Sequence, residues 1–203
     1  MDEAMPLSER FDRALLYAAH VHGGQVRKGT TVPYLAHLLA VAATVLEYGG
    51  NEDQAIAALL HDAVEDQGGA ARLADIRHRF GEGVAEIVKA CSDSIAEAGQ
   101  SKAPWRQRKQ RYVDKLARLP AAILLVSLAD KVHNARSILR DSRKPEIGPG
   151  IWRRFSHPVE ETLWYYRALA GAFQAHLPGQ LADELAEIVA VLEAEAPASR
   201  ERA

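Results

Sequence analysis

Several residue types are scarce in this sequence, and each scarcity excludes something. There is one cysteine, Cys91, in 203 residues. No internal disulfide can therefore staple the chain, and a reducing, cytoplasmic setting is expected. No run reaches the roughly 18 apolar residues that a membrane helix needs. Met1–Arg10 holds no apolar stretch fit for a signal peptide. There is no glycine-rich phosphate loop, and no nucleophile is arranged with a histidine and an acid. Excess charge is also lacking, with 25 Lys and Arg against 27 Asp and Glu. Proteins that bind nucleic acid are usually basic overall, so neither nucleic acid nor membrane is expected as a partner. What remains is 48% hydrophobic and 26% charged, ordinary for a globular chain long enough to bury a core without crosslinks. One domain over residues 1–195 with a flexible tail at 196–203 is expected.

The apolar spacing is helical almost throughout. A first helix is expected over Glu9–His22, capped by Ser8 and ended by Gly23-Gly24. A polar loop, Gln25–Pro33, follows. A second helix starts near Tyr34 and stops at Gly49-Gly50, and a third runs from Glu52 to Glu65. Shorter helices are expected over Ala71–Phe80 and Glu82–Ala90, then a loop over Ser92–Pro104. Helices over Trp105–Ala117 and from Pro120 to about Leu139 come next. A loop, Asp141–Gly150, precedes the last two helices, Val159–Ala175 and Gln180–Glu195. The fold class is therefore all-α, a single-domain bundle of about eight or nine helices.

The chemistry lies in residues that do not belong on apolar faces. Leu59-Leu60-His61-Asp62-Ala63-Val64-Glu65-Asp66 packs imidazole and carboxylates against leucines. His61 and Glu65 are four apart, as are Asp62 and Asp66, which puts them on neighbouring stripes of one helix. Buried ionisable groups need partners or a cation. His37 sits among Tyr34, Leu38 and Val41; taken alone, such a histidine is more often a hydrogen-bonded core residue than a ligand. Asp130 closes the apolar run Leu124–Ala129, which is costly unless it is neutralised. Lys131 adjoins it but departs about 100° around a helix, so Asp130 needs another positive partner. One divalent ion would satisfy His37, His61, Asp62 and Asp130 together. Two imidazoles and two carboxylates suit Mn²⁺, Fe²⁺, Zn²⁺, Co²⁺ or Ni²⁺ better than Ca²⁺. The absence of a cysteine ligand argues against a closed structural zinc site. Such a set leaves room for water and a phosphate oxygen.

The order His37…His61-Asp62…Asp130 resembles the metal-binding pattern of the HD superfamily of phosphohydrolases. Gln25–Gly29, Pro33–His37, Leu60–Asp66 and Leu128–Arg136 together resemble the hydrolase domain of RelA/SpoT proteins and the stand-alone small alarmone hydrolases. That resemblance covers about residues 10–140. It implies removal of the 3′-pyrophosphate of (p)ppGpp with one Mn²⁺. Glu65 and Asp66 then match the acidic pair that orients or deprotonates the attacking water. Arg27 matches a residue against the base, Lys28 one near phosphate, and Asn134 a nucleotide-contacting asparagine. Leu38 stands where the long RelA/SpoT proteins usually have proline, and Gln67 where they usually have threonine. The segments Trp152–Phe155 and Leu163–Leu169 look like a separate branch of small HD proteins.

The remaining residues have plainer readings. Trp164, Tyr165 and Tyr166 read as core and helix contacts, and His20, His22, His78, His157 and His176 as surface or cap residues. His133 reads as lying beside the metal set but off its stripe, and Cys91 as a small buried hydrophobe. The six basic residues of Lys102–Lys115 read as a solvated helix face. Three functions stay open: an alarmone hydrolase, a phosphohydrolase on another nucleotide such as (p)ppApp, NADPH 2′-phosphate or a 5′-nucleotide, and an inactive nucleotide sensor. Retention of His61, Asp62, Glu65 and Asp66 speaks against the sensor. A small-molecule nucleotide is the expected partner, and a homodimer is left open.

Overall fold

The computed structural model describes residues 7–92 and 103–197. Most of the Ser92–Pro104 loop, Lys102 and the end of the expected tail lie outside the described residues. The described chain is all-α. Ten helices run in the order α1 Glu9–Val21, α2 Leu35–Glu47, α3 Glu52–Leu60, α4 Ala63–Asp66, α5 Gly69–Phe80, α6 Glu82–Cys91, α7 Trp105–Leu116, α8 Ala121–Ser142, α9 Val159–His176 and α10 Gln180–Glu195. The described residues form no strand; Val26 and Pro33 make an isolated bridge. No described helix is long and apolar enough to cross a membrane.

The caps follow the sequence. Ser8 Oγ accepts from the Arg10 N–H at 3.2 Å. Asn51 and Gln54 bond reciprocally at 2.9 and 3.0 Å, a capping box that starts α3 tightly after the Gly49-Gly50 turn. Every residue of α3 from Gln54 to Leu60 is buried. This helix is therefore the centre of the bundle, packed by α1, α2, α6 and α8. Gln54 Nε2 donates to the Ala122 carbonyl at 2.8 Å and ties the start of α3 to that of α8. From α2, Leu38, Val41 and Val45 enter the same core, and from α8, Val126, Ala129, Val132 and Ala135; all are 0% exposed.

Three expectations need correction. The third helix does not continue to Glu65. It ends at Leu60, and Ala63–Asp66 forms a separate single turn. The Ala58 carbonyl, the i−4 acceptor for Asp62 in an unbroken helix, here faces His61 Nδ1 at 2.8 Å. α8 runs past Leu139 to Ser142, and the expected Asp141–Gly150 loop gives way to a 3-10 helix over Gly148–Arg154. Finally, His22 is the C-cap of α1 but is buried at 3% exposure, with its ring stacked on Tyr34 at 5.2 Å.

The 3-10 helix is held to α8 through Asp141. This buried carboxylate accepts from Arg154 Nη1 at 2.6 Å and Lys144 Nζ at 2.8 Å, with Arg140 Nε at 3.4 Å. Burial alone would raise its pKa. The hydrogen bonds from Lys144 and Arg154 and the charge of Lys144 outweigh burial and bring the carboxyl down to about 2. The folded value lies below the unfolded one, about 3.9 for aspartate. Its contribution to stability is thus fully present above about pH 4 and is lost as the pH falls through about 2. Acid unfolding of wild type and Asp141→Asn should show a stability gap at pH 6 that closes between about pH 4 and 2. A gap of constant size across that range would contradict the ion cluster.

Candidate metal centre and substrate cleft

Three helical segments deliver the ionisable groups to one place. α2 brings His37, the break after α3 brings His61 and Asp62, and α8 brings Asp130. His37, His61 and Asp62 each offer a ligand atom, and these atoms lie within 4.8 Å of one another. Asp130 Oδ1 approaches the same imidazoles, 3.2 Å from His37 Nε2 and 3.6 Å from His61 Nε2. Asp62 Oδ2 is 3.1 Å from His61 Nε2 and 3.7 Å from His37 Nε2. These separations are close, yet neither Nε2 makes an aligned hydrogen bond, and both atoms are buried without a partner.

The far side of each ring is occupied. His61 Nδ1 faces the Ala58 carbonyl, and His37 Nδ1 lies 2.7 Å from His133 Nδ1. A ring that donates from Nδ1 presents a lone pair at Nε2. Two such lone pairs beside two carboxylates suit a divalent cation of the borderline class. The four predicted residues are thus brought together, and the orphaned nitrogens fit a metal.

In the protein alone these groups hold one another's charge. Burial opposes the charged forms, but the Asp62 and Asp130 carboxylates beside it push His61 up, while His61 and Lys131 hold Asp62 and Asp130 down. Lys131 corrects the sequence reading: its Nζ turns back to Asp130 Oδ2 at 2.5 Å. A four-carbon stem spans the 100° that separates adjacent helical positions. Asp130 therefore shows Oδ2 to Lys131 and Oδ1 to the imidazoles and to Asn134 Nδ2, which is 2.5 Å away.

Other predicted residues surround this centre. Asp66 Oδ2 accepts from Gln25 Nε2 at 2.9 Å. Its carboxyl is pushed above the ordinary range by loss of solvent and by the nearby Asp62. Glu65 is half-buried on the same turn, α4. Arg27 Nη2 donates to Asn134 Oδ1 at 2.9 Å, so these two predicted substrate residues touch. Lys28 is exposed at the mouth. The loop that carries them is an ordered turn, closed by Arg27 N–H to the Val32 carbonyl at 2.9 Å and Tyr34 N–H to the Gln25 carbonyl at 2.8 Å.

The sequence reading missed one role: the Tyr34 hydroxyl donates to Asp62 Oδ2 at 2.5 Å. His133, read as lying beside the metal set rather than in it, supports His37. Tyrosine on an apolar face with its polar tip aimed at an acid was the available signal. Burial first, then the neighbouring His37 ring and the charge of Arg27, lowers His133 to about 3, so it acts as a neutral ring. The basic run on α7 is only partly a solvated face: Lys115 Nζ reaches the Ala90 carbonyl at 2.6 Å, and the Arg106 guanidinium lies 3.2 Å from the Trp164 ring centroid. Tyr165 and Tyr166 are buried, as read.

An open cleft of about 1170 Å³ runs from His37, Tyr34 and Asn134 outward to Arg154 and Lys144. Its described lining carries seven Lys and Arg side chains and a single carboxylate, Asp141.

The family model described as "HD domain" matches residues 14–155. The chain belongs to the HD domain family. Among relatives of this HD domain chain, the bifunctional (p)ppGpp synthase/hydrolase SpoT of Escherichia coli K12 is 30% identical over 176 residues, 83% of this chain and 22% of that protein. The guanosine-3′,5′-bis(diphosphate) 3′-pyrophosphohydrolase of Aquifex aeolicus is 33% identical over 167 residues, 80% of this chain and 21% of that protein. The chain therefore spans about a fifth of the length of these relatives. A solved HD structure, described as a metazoan ortholog of SpoT that hydrolyzes ppGpp, superposes with a TM-score of 0.72 at 25% identity, covering 93% of this chain and 98% of that one.

If the four groups share one cation, His61→Ala should abolish stoichiometric Mn²⁺ binding and its thermal stabilisation. The metal-free protein should stay folded, since His61 caps the end of α3 in a helical backbone conformation that alanine adopts readily. Elemental analysis with a melting curve checks both; full metal occupancy in folded His61→Ala would refute the shared site.

Proposed function

We propose that this protein is a metal-dependent phosphohydrolase that removes the 3′-pyrophosphate of (p)ppGpp, with Mn²⁺ as its ion. The carrying observation is the cleft itself: His37 of the metal-suited set lines its inner end, and its described lining as a whole holds seven cationic side chains to one acid. That distribution suits a small ligand bearing two phosphate groups. The names and hydrolase activities of the relatives support the same reading, as does the length match with the metazoan structure.

His37, His61, Asp62 and Asp130 would hold the ion. When bound, such an ion supplies Lewis-acid charge beside the phosphoryl group and acidifies water. The chain's own groups do the rest. Tyr34 and Lys131 fix the carboxylates of Asp62 and Asp130, so the set is shaped before a ligand arrives. Glu65 and Asp66, on the turn after Asp62, are the groups to orient water and take its proton; the raised Asp66 carboxyl suits a base. Lys28 meets phosphate as a flexible point charge, while Arg27 offers a planar face to a purine. Asn134 keeps one N–H and one lone pair beyond its bonds to Asp130 and Arg27, enough for a polar contact with the nucleotide. Water adds across the 3′-O–P bond, leaving GDP and inorganic pyrophosphate from ppGpp. A nucleotide substrate and the lone Cys91 suit the cytoplasm.

The direct test incubates the Mn²⁺-loaded protein with ppGpp, pppGpp, ppApp, NADPH and plain nucleotides and identifies products by mass. GDP plus pyrophosphate from ppGpp is the expected result; release from NADPH or a 5′-nucleotide alone would overturn the reading. Glu65→Gln should keep the metal and lower turnover by about 10²-fold or more. Parallel loss of metal and rate would make Glu65 a ligand instead.

Arg27 and Lys28 should separate base from phosphate. Lys28→Ala should raise KM by a similar factor for every polyphosphorylated substrate. Arg27→Ala should lose stacking worth about 1–3 kcal/mol, nearly equally for ppGpp and ppApp. Wild-type kinetics in both variants would reduce the pair to surface charge.

A further inference from the structure

The Arg27–Lys28 turn touches α8 at one place and the Gly148–Arg154 3-10 helix at another. One is the Arg27–Asn134 hydrogen bond of 2.9 Å beside the metal set. The other involves no side chain of the turn. Gly29 has φ of +70°, and a Cβ built on it would lie 2.9 Å from both Cγ and Cδ of Arg154 and 3.0 Å from Nε. The Arg154 stem therefore lies flat on the Gly29 backbone. Its guanidinium continues to Asp141 Oδ2 at 2.6 Å. Asp141 is 4% exposed and lies eleven residues beyond Asp130 on α8, about 16 Å along the helix.

We propose that Gly29, Arg154 and Asp141 form a strut that sets the height of the Arg27–Lys28 turn over the cleft, making Asp141 and Arg154 positioning residues for nucleotide binding. This rests on the reading of the cleft as a nucleotide site. Three features argue for a strut rather than an incidental contact. Asp141 is ionised throughout the neutral range, so the anchor does not loosen there. Lys144 and Arg140 occupy Asp141 Oδ1, leaving Oδ2 for Arg154 alone. Glycine adopts the left-handed backbone at position 29 without strain, and a Cβ there would force the Arg154 stem to move. The strut acts on binding because the turn carries the base- and phosphate-facing side chains, whereas the metal set is held separately by Tyr34, Lys131 and His133.

The test measures GDP binding to the Mn²⁺-loaded full chain by calorimetry, and ppGpp kinetics, for wild type, Asp141→Asn, Gly29→Ala and the double variant. Each single variant should weaken GDP binding and raise KM about tenfold, with kcat within about twofold. The double variant should be no weaker than the worse single, because both break one strut. Unchanged GDP affinity in both singles overturns the proposal, as do losses that multiply in the double variant or a fall in kcat with unchanged KM. Should Asp141→Asn fail to fold, Gly29→Ala, on an exposed turn, decides alone. A wild type that binds GDP but leaves ppGpp intact refutes the hydrolase reading while the binding series still judges the strut; a wild type that does not bind GDP overturns both.

Discussion

The structure depends on one costly arrangement: two imidazoles and two carboxylates brought together inside an apolar helical core. His37 and His61 are 1% and 3% exposed and Asp130 is 5% exposed. An unpaired charge at such depth costs several kcal/mol, so each group must be answered by another. The answers come from different helices, which is why α2, α3 and α8 have to meet there. Asp130 is shared among Lys131, Asn134 and the imidazoles, and Asp62 is held by Tyr34. Within this cluster the two imidazole Nε2 atoms have no hydrogen-bond partner in the protein. The polar cluster ties three helices together, and its donor set is of a kind that suits a cation.

The break between α3 and α4 follows from this demand. α3 is buried all round and can tolerate few polar atoms. The chain must leave that environment before it can present acids to solvent. His61 stays buried, Asp62 is half-buried and Asp66 is exposed, a gradient achieved within six residues. A straight continuation would have kept every fourth residue on the buried stripe. The single turn of α4 instead carries Glu65 and Asp66 outward beside the site.

Much of this was legible in the sequence because polar residues in apolar runs are rare enough to stand out. His37 among Leu38 and Val41, His61-Asp62 after Leu59-Leu60, and Asp130 after Leu124–Ala129 each marked a group needing a partner, and the helical spacing placed all three on inward faces. What escaped depended on side-chain reach or tertiary packing. Direction around a helix put Lys131 away from Asp130, but its long stem returns. His22 follows α1 where a surface cap was expected, yet the turn folds it onto Tyr34. The Gly148–Arg154 helix was hidden by its Pro and Gly content, which reads locally as loop; its order comes from Trp152 and Ile151 entering the core and from Arg154 binding Asp141.

The charge balance of the whole chain conceals the organisation of the cleft. A formal net charge of −2 gives no sign of an anion site. The inner end is close to self-neutralised, since its carboxylates face imidazoles and Lys131, whereas the outer lining has cations set against Asp141 alone. Attraction of an anion is therefore strongest at the mouth, and the ordered, hydrogen-bonded set waits further in. That separation lets binding charge be altered without disturbing the metal set. The one outer carboxylate is buried and fully engaged: it spaces the cations and fixes Arg154, while its own charge is cancelled by its neighbours. In a cleft whose described lining is otherwise cationic, this acid has a structural role.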